Sequence, residues 1–362
     1  MAPTVAVLGG GYGGISVAKA LDDIADVVLV EPRETFVHNV AALRAAVDPD
    51  WTERIFIPYD GLLSRGRVLR DRAVRVHPTA VDLGSGRRFT ADYLVLATGS
   101  TSPYPSKLDV EEAAGAAAKL RSTQAALARA DRVLLLGAGP IGIEFAGEIK
   151  AVWPDKTVTV VDPAADLVSG RFPDAFRAEL RAQLDELGVE LLLGTSLREL
   201  PETGPGQTGG FTVTTRSGVE IDADIWFPCY GGTVDSDYLG PELRPARRPD
   251  GRLAVTAELR LPGQETVFAV GDVTAVPEMK QARAAQQHAE VVAANVRTLI
   301  EGGGTLATYR AAADSIVLPV GPKGGVGYHP EAGLLGAVPT AELKGGLFLD
   351  RYLELLGAVA AR

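Results

Sequence analysis

Two stretches of the chain join an apolar run to closely spaced glycines: VAVLGGGYGGISVAKAL near the start and LLLGAGPIGIEF, Leu134 to Phe145, in the middle. Gly137, Gly139 and Gly142 fall where the second apolar run gives way to a helical pattern, and Gly9, Gly11, Gly13 and Gly14 do the same in the first. A backbone needs this spacing to approach a pyrophosphate. The first glycine makes the turn, the second admits phosphate, and the third lets a helix pack closely on its strand. The helix start that follows, at Tyr12 in the first copy and at Pro140 and Ile141 in the second, offers free N–H groups and a partial positive charge. One strand later each copy ends in an acid, Glu31 after DVVLV and Asp162 after TVTVV, placed to accept hydrogen bonds from an adenosine ribose. A lone fingerprint of this kind also occurs in ordinary loops. Two copies, each with strand, helix and terminal acid, predict two dinucleotide sites.

The elements around them suggest which nucleotide goes where. DYLVLATGST (Asp92 to Thr101) is an apolar strand ending in a turn at Ala97, Thr98 and Gly99; TVFAVGDVT (Thr266 to Thr274) is another, ending in Gly271 and Asp272. A glycine that permits close backbone approach, followed by an acid, suits an extended polyol whose hydroxyls Asp272 can bind. FAD carries such a ribityl chain and NAD does not, so the first site is expected to hold FAD and the second a nicotinamide nucleotide. The strand ADIWFPC runs into Gly231 on the nicotinamide side. Asp162 opposes a 2′-phosphate, and VDPAADLVSG has no arginine before Arg171, which favours NADH over NADPH.

Bulk properties agree with an α/β enzyme. The 362 residues are 46% hydrophobic and include 41 glycines, enough for two or three packed cores joined by tight turns. The expected fold is two Rossmann-like three-layer dinucleotide-binding domains plus a small C-terminal α+β region, an arrangement that with these motifs resembles the glutathione-reductase type. The FAD domain is expected to be discontinuous, over 1–104 and 251–306, with the NADH domain at 105–250 and a region at 307–362 covering the flavin. Helices are expected over Val110 to Ala130 and Pro277 to Val296. Cys229, the single cysteine, has no partner for a disulfide, and the four histidines lack metal-ligand spacing, so no metal is expected. A formal charge of −10 without a long basic run argues against nucleic acid. No run approaches the roughly 20 apolar residues of a membrane span, and MAPTVAVLGG enters a strand with no charged leader, so a cytoplasmic protein is expected. Ala2 stands where N-myristoylation would need glycine.

The order of these motifs carries a family resemblance. With FVHNVAALRAAVD (Phe36 to Asp48), IFIPY, LATGSTSPYP, GIEFAGEI, the Cys229 strand and the GD segment, the chain resembles the two-dinucleotide-domain flavoproteins. That superfamily includes type II NADH dehydrogenases, ferredoxin reductases and apoptosis-inducing factors. Within it the chain is similar to the family of apoptosis-inducing-factor-like ferroptosis suppressor proteins, nearly end to end and least after about Thr305. The resemblance implies a FAD-dependent NAD(P)H oxidoreductase that takes hydride from nicotinamide C4 at flavin N5 and reduces quinones. A redox protein such as a ferredoxin or rubredoxin is the second choice of acceptor, and a non-catalytic NADH-sensing role the third. It implies that Glu144 lies beside flavin and nicotinamide and holds the carboxamide, with Glu148 as the alternative. His38 and Lys344 become the cations beside the flavin N1–C2 edge, either able to donate a proton. Arg44 pairs with a phosphate or an acceptor, or else on the helix surface. Lys280, Gln281 and Ala282 meet the flavin from the first turn of their helix. Ala2 and the tail DRYLELLGAVAAR depart from the animal members, so at most weak membrane association is expected, in a monomer or homodimer.

Overall fold

The computed structural model describes residues 2–358, so the last four residues of the expected C-terminal region lie outside the described residues. Two parallel sheets carry the glycine motifs. In the first, the strand order is Val267–Ala269, Tyr93–Leu96, Thr4–Leu8, Asp26–Glu31, Arg67–Arg70. In the second it is Val189–Leu193, Thr157–Asp162, Arg132–Leu136, Ile225–Pro228. The inner strands Thr4–Leu8, Tyr93–Leu96 and Arg132–Leu136 carry near-continuous apolar runs because both faces of each sheet are covered there.

One face of the first sheet packs on the helices Tyr12–Leu21 and Ala282–Ile300. The other meets a small antiparallel sheet, Ala73–His77, Ala80–Leu83 and Arg88–Thr90, whose Val76, Val81 and Leu83 pack with Ala6, Leu8 and Val28. The second sheet is built alike. Its helices Pro140–Val152 and Asp174–Glu186 share the main core, and the hairpin of Phe211–Thr214 with Glu220–Ala223 covers Leu134, Leu136 and Val161. The result is the three-layer α/β architecture anticipated from the paired motifs.

A third, antiparallel sheet of Ile316–Val320, Gly324–His329 and Gly333–Leu335 is followed by the helices Ala337–Lys344 and Leu349–Leu355. It sits directly on the helix Pro140–Val152, and Gly147 makes this approach possible. A Cβ there would collide with the backbone of Val320 and Gly321. Gly147 lies between Glu144, which meets Lys344 of the C-terminal segment, and Glu148, which meets Arg44.

Two expected helices start late. The first runs Ala113–Arg129, and the second runs Ala282–Ile300 rather than from Pro277. Gln281 is extended (φ −139°, ψ 155°) because its side chain donates to the Ser315 carbonyl at 2.9 Å, and Lys280 turns back to the Val276 carbonyl at 2.9 Å. These long-range and local bonds outweigh the helical propensity of PEMKQ. The stretch FVHNVAALR forms a strand Thr35–Val37, a 3-10 turn Asn39–Ala41 and a short helix Ala42–Ala45.

Candidate active site

The two glycine turns superpose bond for bond. Gly9 donates to the Val30 carbonyl and Gly137 to Val161, both at 2.8 Å. Gly10 then donates to Glu31 Oε2 and Ala138 to Asp162 Oδ2, both at 2.6 Å. Each terminal acid thus clamps its own turn while standing at the strand end. Gly9 and Gly137 have φ of +106° and +120°, where a side chain is strained, and a Cβ on either would strike the following strand end at Ala97 or Cys229. Gly14 and Gly142 are forced by contact, since a Cβ on them would run into the carbonyls of Gly9 and Gly137. Gly13 abuts Val270 and the Ala285 carbonyl. Gly10 carries a constraint that the spacing did not reveal: Tyr59 packs against it and its hydroxyl donates to the Gly10 carbonyl at 2.9 Å.

Gly11 and Gly139, the N-caps of the helices Tyr12–Leu21 and Pro140–Val152, behave differently. A Cβ on either would meet nothing within 4 Å, and neither turn has a side-chain cap. The same openness holds at Gly99 and Gly231, the ends of Ala97–Thr98–Gly99 and its counterpart Cys229–Tyr230–Gly231. Uncapped helix N–H groups facing open space fit a pyrophosphate at each turn. The two strand-end loops are joined where Thr101 and Thr233 pair through backbone and hydroxyl groups, the latter 2.6 Å apart.

The GD turn is held from two sides. Gly271 (φ +75°) donates its N–H to His288 Nδ1 at 3.0 Å. The far ring nitrogen of His288 lies 2.7 Å from Glu278 Oε1, off the ideal hydrogen-bond line, and the other oxygen of Glu278 accepts the Tyr309 hydroxyl at 2.5 Å. Burial raises the Glu278 carboxyl, but His288 and Tyr309 outweigh it and hold the group below the usual range. Asp272 Oδ2 accepts from Ser100 Oγ at 2.6 Å and faces Lys107 Nζ at 3.5 Å. Thr98 pairs with the Tyr238 hydroxyl at 2.9 Å. Lys280 and Gln281 spend their side chains on protein carbonyls, and Ala282 opens the helix. Sequence reasoning missed Ser100, Lys107, Glu278, Tyr309 and the task of His288. None of these residues lies in a local pattern.

The charged centre lies where the two units and the C-terminal segment meet. Lys344 Nζ stands 3.5 Å from Glu144 Oε2, across 200 residues of sequence, with both side chains largely buried (14% and 12% exposed). Burial raises the Glu144 carboxyl above its ordinary range, while Lys344 opposes this most strongly and Glu148 adds to it. Glu148 is 2% exposed and gripped by Arg44 Nη2 at 2.8 Å and Nε at 3.1–3.2 Å, so it is not free to hold a carboxamide. Arg44 is therefore neither a surface group nor free for a phosphate: its remaining arm donates to the Gly345 carbonyl at 2.6 Å.

His38 is fully buried, and both ring nitrogens are engaged, with the Tyr12 hydroxyl at 3.2 Å and the Leu347 carbonyl at 2.7 Å. The carbonyl can only accept, so Nε2 carries the proton and Nδ1 accepts from Tyr12. Burial, with the charge of Lys344 adding to it, lowers His38 to about 4 despite the Leu347 bond. Such a histidine is neutral at ordinary pH and orients Tyr12, whose hydroxyl also accepts from the Val40 N–H at 2.9 Å. Tyr352 of the tail closes the cluster, stacked on Phe36 and 4.9 Å from the His38 ring. Leu347 and Phe348 hold left-handed φ of +52° and +59°, a strain of about 1–2 kcal/mol per residue that the His38 bond helps to retain.

With this geometry in place, comparison with known proteins decides the family. The model for pyridine nucleotide-disulphide oxidoreductases matches residues 3–289. The chain belongs to that family. Its members use FAD and NAD(P)H, and this chain is accordingly a flavoprotein oxidoreductase of the pyridine-nucleotide type. The disulphide in the family's description has no counterpart here, since one cysteine cannot make a redox pair. Among its relatives, apoptosis-inducing factor homolog B of Dictyostelium discoideum is 30% identical over 97% of this chain and 96% of its own. Ferroptosis suppressor protein 1 of Taeniopygia guttata is 32% identical over 89% and 87%. Solved structures of like fold include the sulfide:quinone oxidoreductase of Aquifex aeolicus (TM-score 0.78, 19% identity, 100% of this chain and 93% of that one). Another is NDH2 from Plasmodium falciparum in complex with NADH (TM-score 0.74, 12% identity, 98% and 95%). Among the described residues, no histidine, cysteine and carboxylate cluster could hold a metal, and no helix is long and apolar enough to cross a membrane.

Proposed function

We propose that this family member is an NADH-dependent reductase of a quinone-like small molecule. FAD would lie at the Gly9–Gly14 turn with its polyol at Asp272, and NADH at the Gly137–Gly142 turn. The FAD-binding part is 1–104 with 251–306, the NADH-binding part 105–250, and 307–362 is the cover. The observation that carries this reading is the Lys344–Glu144 pair, a buried base and acid delivered by the C-terminal segment and the nicotinamide-side helix. Bound FAD would supply the two-electron chemistry between nicotinamide and acceptor. The chain's part is to bind, orient and move protons.

Glu144 sits in the first turn and a half of the Pro140–Val152 helix, close enough to its N-terminus to reach a nicotinamide whose pyrophosphate occupies that end. Its carboxylate can accept a carboxamide N–H and select one ring face. Lys344 offers a buried positive charge and a proton. His38, neutral and fully hydrogen-bonded, holds Tyr12 and the 344–348 turn in place. The preference for NADH rests on Asp162, whose oxygens are held by the N–H groups of Ala138 and Ala164 at 2.6 and 2.7 Å. The arginines downstream do not compensate, because Arg177 and Arg181 face Asp166. The presence of a sulfide:quinone oxidoreductase and of NDH2 with NADH among the like folds supports the choice of donor and acceptor class.

The test is anaerobic mixing of the purified protein with NADH, followed by a short-chain quinone. Glu144→Gln is expected to slow bleaching of the flavin, and Lys344→Met its reoxidation. Wild-type rates for both steps in both variants overturn the assignment.

A further inference from the structure

Helix Pro140–Val152 carries two acids one turn apart, Glu144 and Glu148, and the helix Ala337–Lys344 facing Glu144 brings one lysine. An ammonium between two buried carboxylates would be shared. Arg44 prevents this from a third element. Its Nε and Nη2 take both oxygens of Glu148, and its Nη1 takes the carbonyl of Gly345, the residue next to Lys344. We propose that Arg44 and Glu148 are a positioning pair that sets the protonation of Glu144: Arg44 neutralises the second acid and anchors the Lys344–Gly345 backbone, leaving the Lys344 ammonium to Glu144 alone.

The charges balance only as a set of four. Facing Glu144 are Lys344 from the Ala337–Lys344 helix, Arg44 from the Ala42–Ala45 helix, Glu148 from its own helix and Tyr12 from the first glycine helix, while His38 faces Lys344. Arg44 and Lys344 both favour the ionised form of Glu144, and Glu148 opposes it. Loss of Arg44 leaves two buried carboxylates competing for one ammonium, which drives Glu144 towards its protonated form. Loss of the Glu148 charge acts in the opposite sense. Loss of both together restores one acid and one base. A pair that only braced the fold would change stability and leave this proton equilibrium alone. Bidentate geometry adds a distinction, since lysine at position 44 keeps the charge but cannot hold Glu148 and Gly345 together.

The inference rests on the reading of Glu144 as the nicotinamide-side carboxylate only for its consequence in catalysis, so its test has two readouts. In the first, the full chain as purified, with isotope-labelled glutamate carboxyls, is titrated by NMR, and the Glu144 signal is identified by its loss in Glu144→Gln. Arg44→Met is expected to move the Glu144 midpoint up by about one pH unit or more, and Glu148→Gln to move it down. The double variant Arg44→Met/Glu148→Gln is expected to return it towards wild type, and Arg44→Lys to lie between wild type and Arg44→Met. If Arg44→Met does not fold, the Glu148→Gln and double variants still decide. An unmoved midpoint in folded Glu148→Gln, or a double variant displaced as far as a single one, overturns the proposal. In the second readout, the pH profile of flavin bleaching by NADH should follow the same order. A midpoint that moves by NMR while the bleaching profile stays still would confirm the positioning pair and instead refute the role of Glu144 at the nicotinamide.

Discussion

Replacing Gly139 with alanine separates the fold from its ligand in one substitution. Gly139 has φ −77° and ψ −176°, extended backbone that alanine adopts without strain, and a Cβ there meets nothing within 4 Å. Less freedom in the unfolded chain stabilises by about 0.4–1 kcal/mol, and alanine, a poorer helix cap than glycine, costs about 0.5–1 kcal/mol in return. The net effect on stability is therefore within about half a kcal/mol of zero, which for a chain of this size moves the melting temperature by about 2 °C at most. The ligand sees something else. The methyl projects into the open space before the uncapped helix, where phosphate oxygens would have to accept N–H bonds. Losing one charge-assisted bond costs about 1.5–3 kcal/mol, or about 10- to 150-fold in affinity. Calorimetric titration with NADH, beside a thermal melt and the content of bound flavin, is the assay. Expected are a wild-type melt, full flavin and much weaker NADH binding. Gly11→Ala should show the mirror image, with lost flavin. Gly142→Ala should instead melt early, because its Cβ would strike the Gly137 carbonyl and overpacking costs about 1–3 kcal/mol. Unchanged NADH affinity in Gly139→Ala, or loss of flavin in its place, would refute the reasoning.

Three further outcomes follow from buried groups. His38, held to about 4 when folded against an ordinary value of 6.5, is neutral in both states at neutral pH; acidification protonates the unfolded chain first. Stability should therefore fall by about 2 kcal/mol between about pH 7 and pH 5, and His38→Gln should flatten that part of the curve in denaturant titrations. His288→Ala leaves the buried Glu278 carboxylate without its imidazole partner and the Gly271 N–H without an acceptor. It should cost about 3 kcal/mol or more in stability and loosen flavin retention in a gel-filtration assay, whereas Tyr309→Phe should cost about 1–2 kcal/mol. Burial raises the Cys229 thiol to about 12, so thiol reagents at mildly alkaline pH should label it only after unfolding.

The sequence made the nucleotide turns legible because their constraints are local. Gly9, Gly14, Gly137 and Gly142 answer to neighbours fixed by the strand-turn-helix unit itself, and Glu31 and Asp162 close the turns that precede them. Only family resemblance singles out Glu144 and Lys344, and their pairing with each other was not read, since nothing in the spacing links residues so far apart. Arg44 and Glu148 show where local reading stops. Each lies on a helix pattern that reads as surface, and only the approach of the third sheet at Gly147, with Gly345 beside it, buries them against each other. The late start of the Ala282–Ile300 helix has the same origin, a hydrogen bond from Gln281 to a residue 34 positions away.

The central claim is that the first glycine turn holds a flavin which NADH at the second can reduce. Its most direct test is the visible spectrum of the purified protein as NADH is added in the absence of oxygen. The account predicts a yellow protein, or one made yellow by added FAD, that bleaches with about one equivalent of NADH and regains its colour with a quinone. A protein that binds no flavin, or whose flavin NADH leaves oxidised, would contradict it.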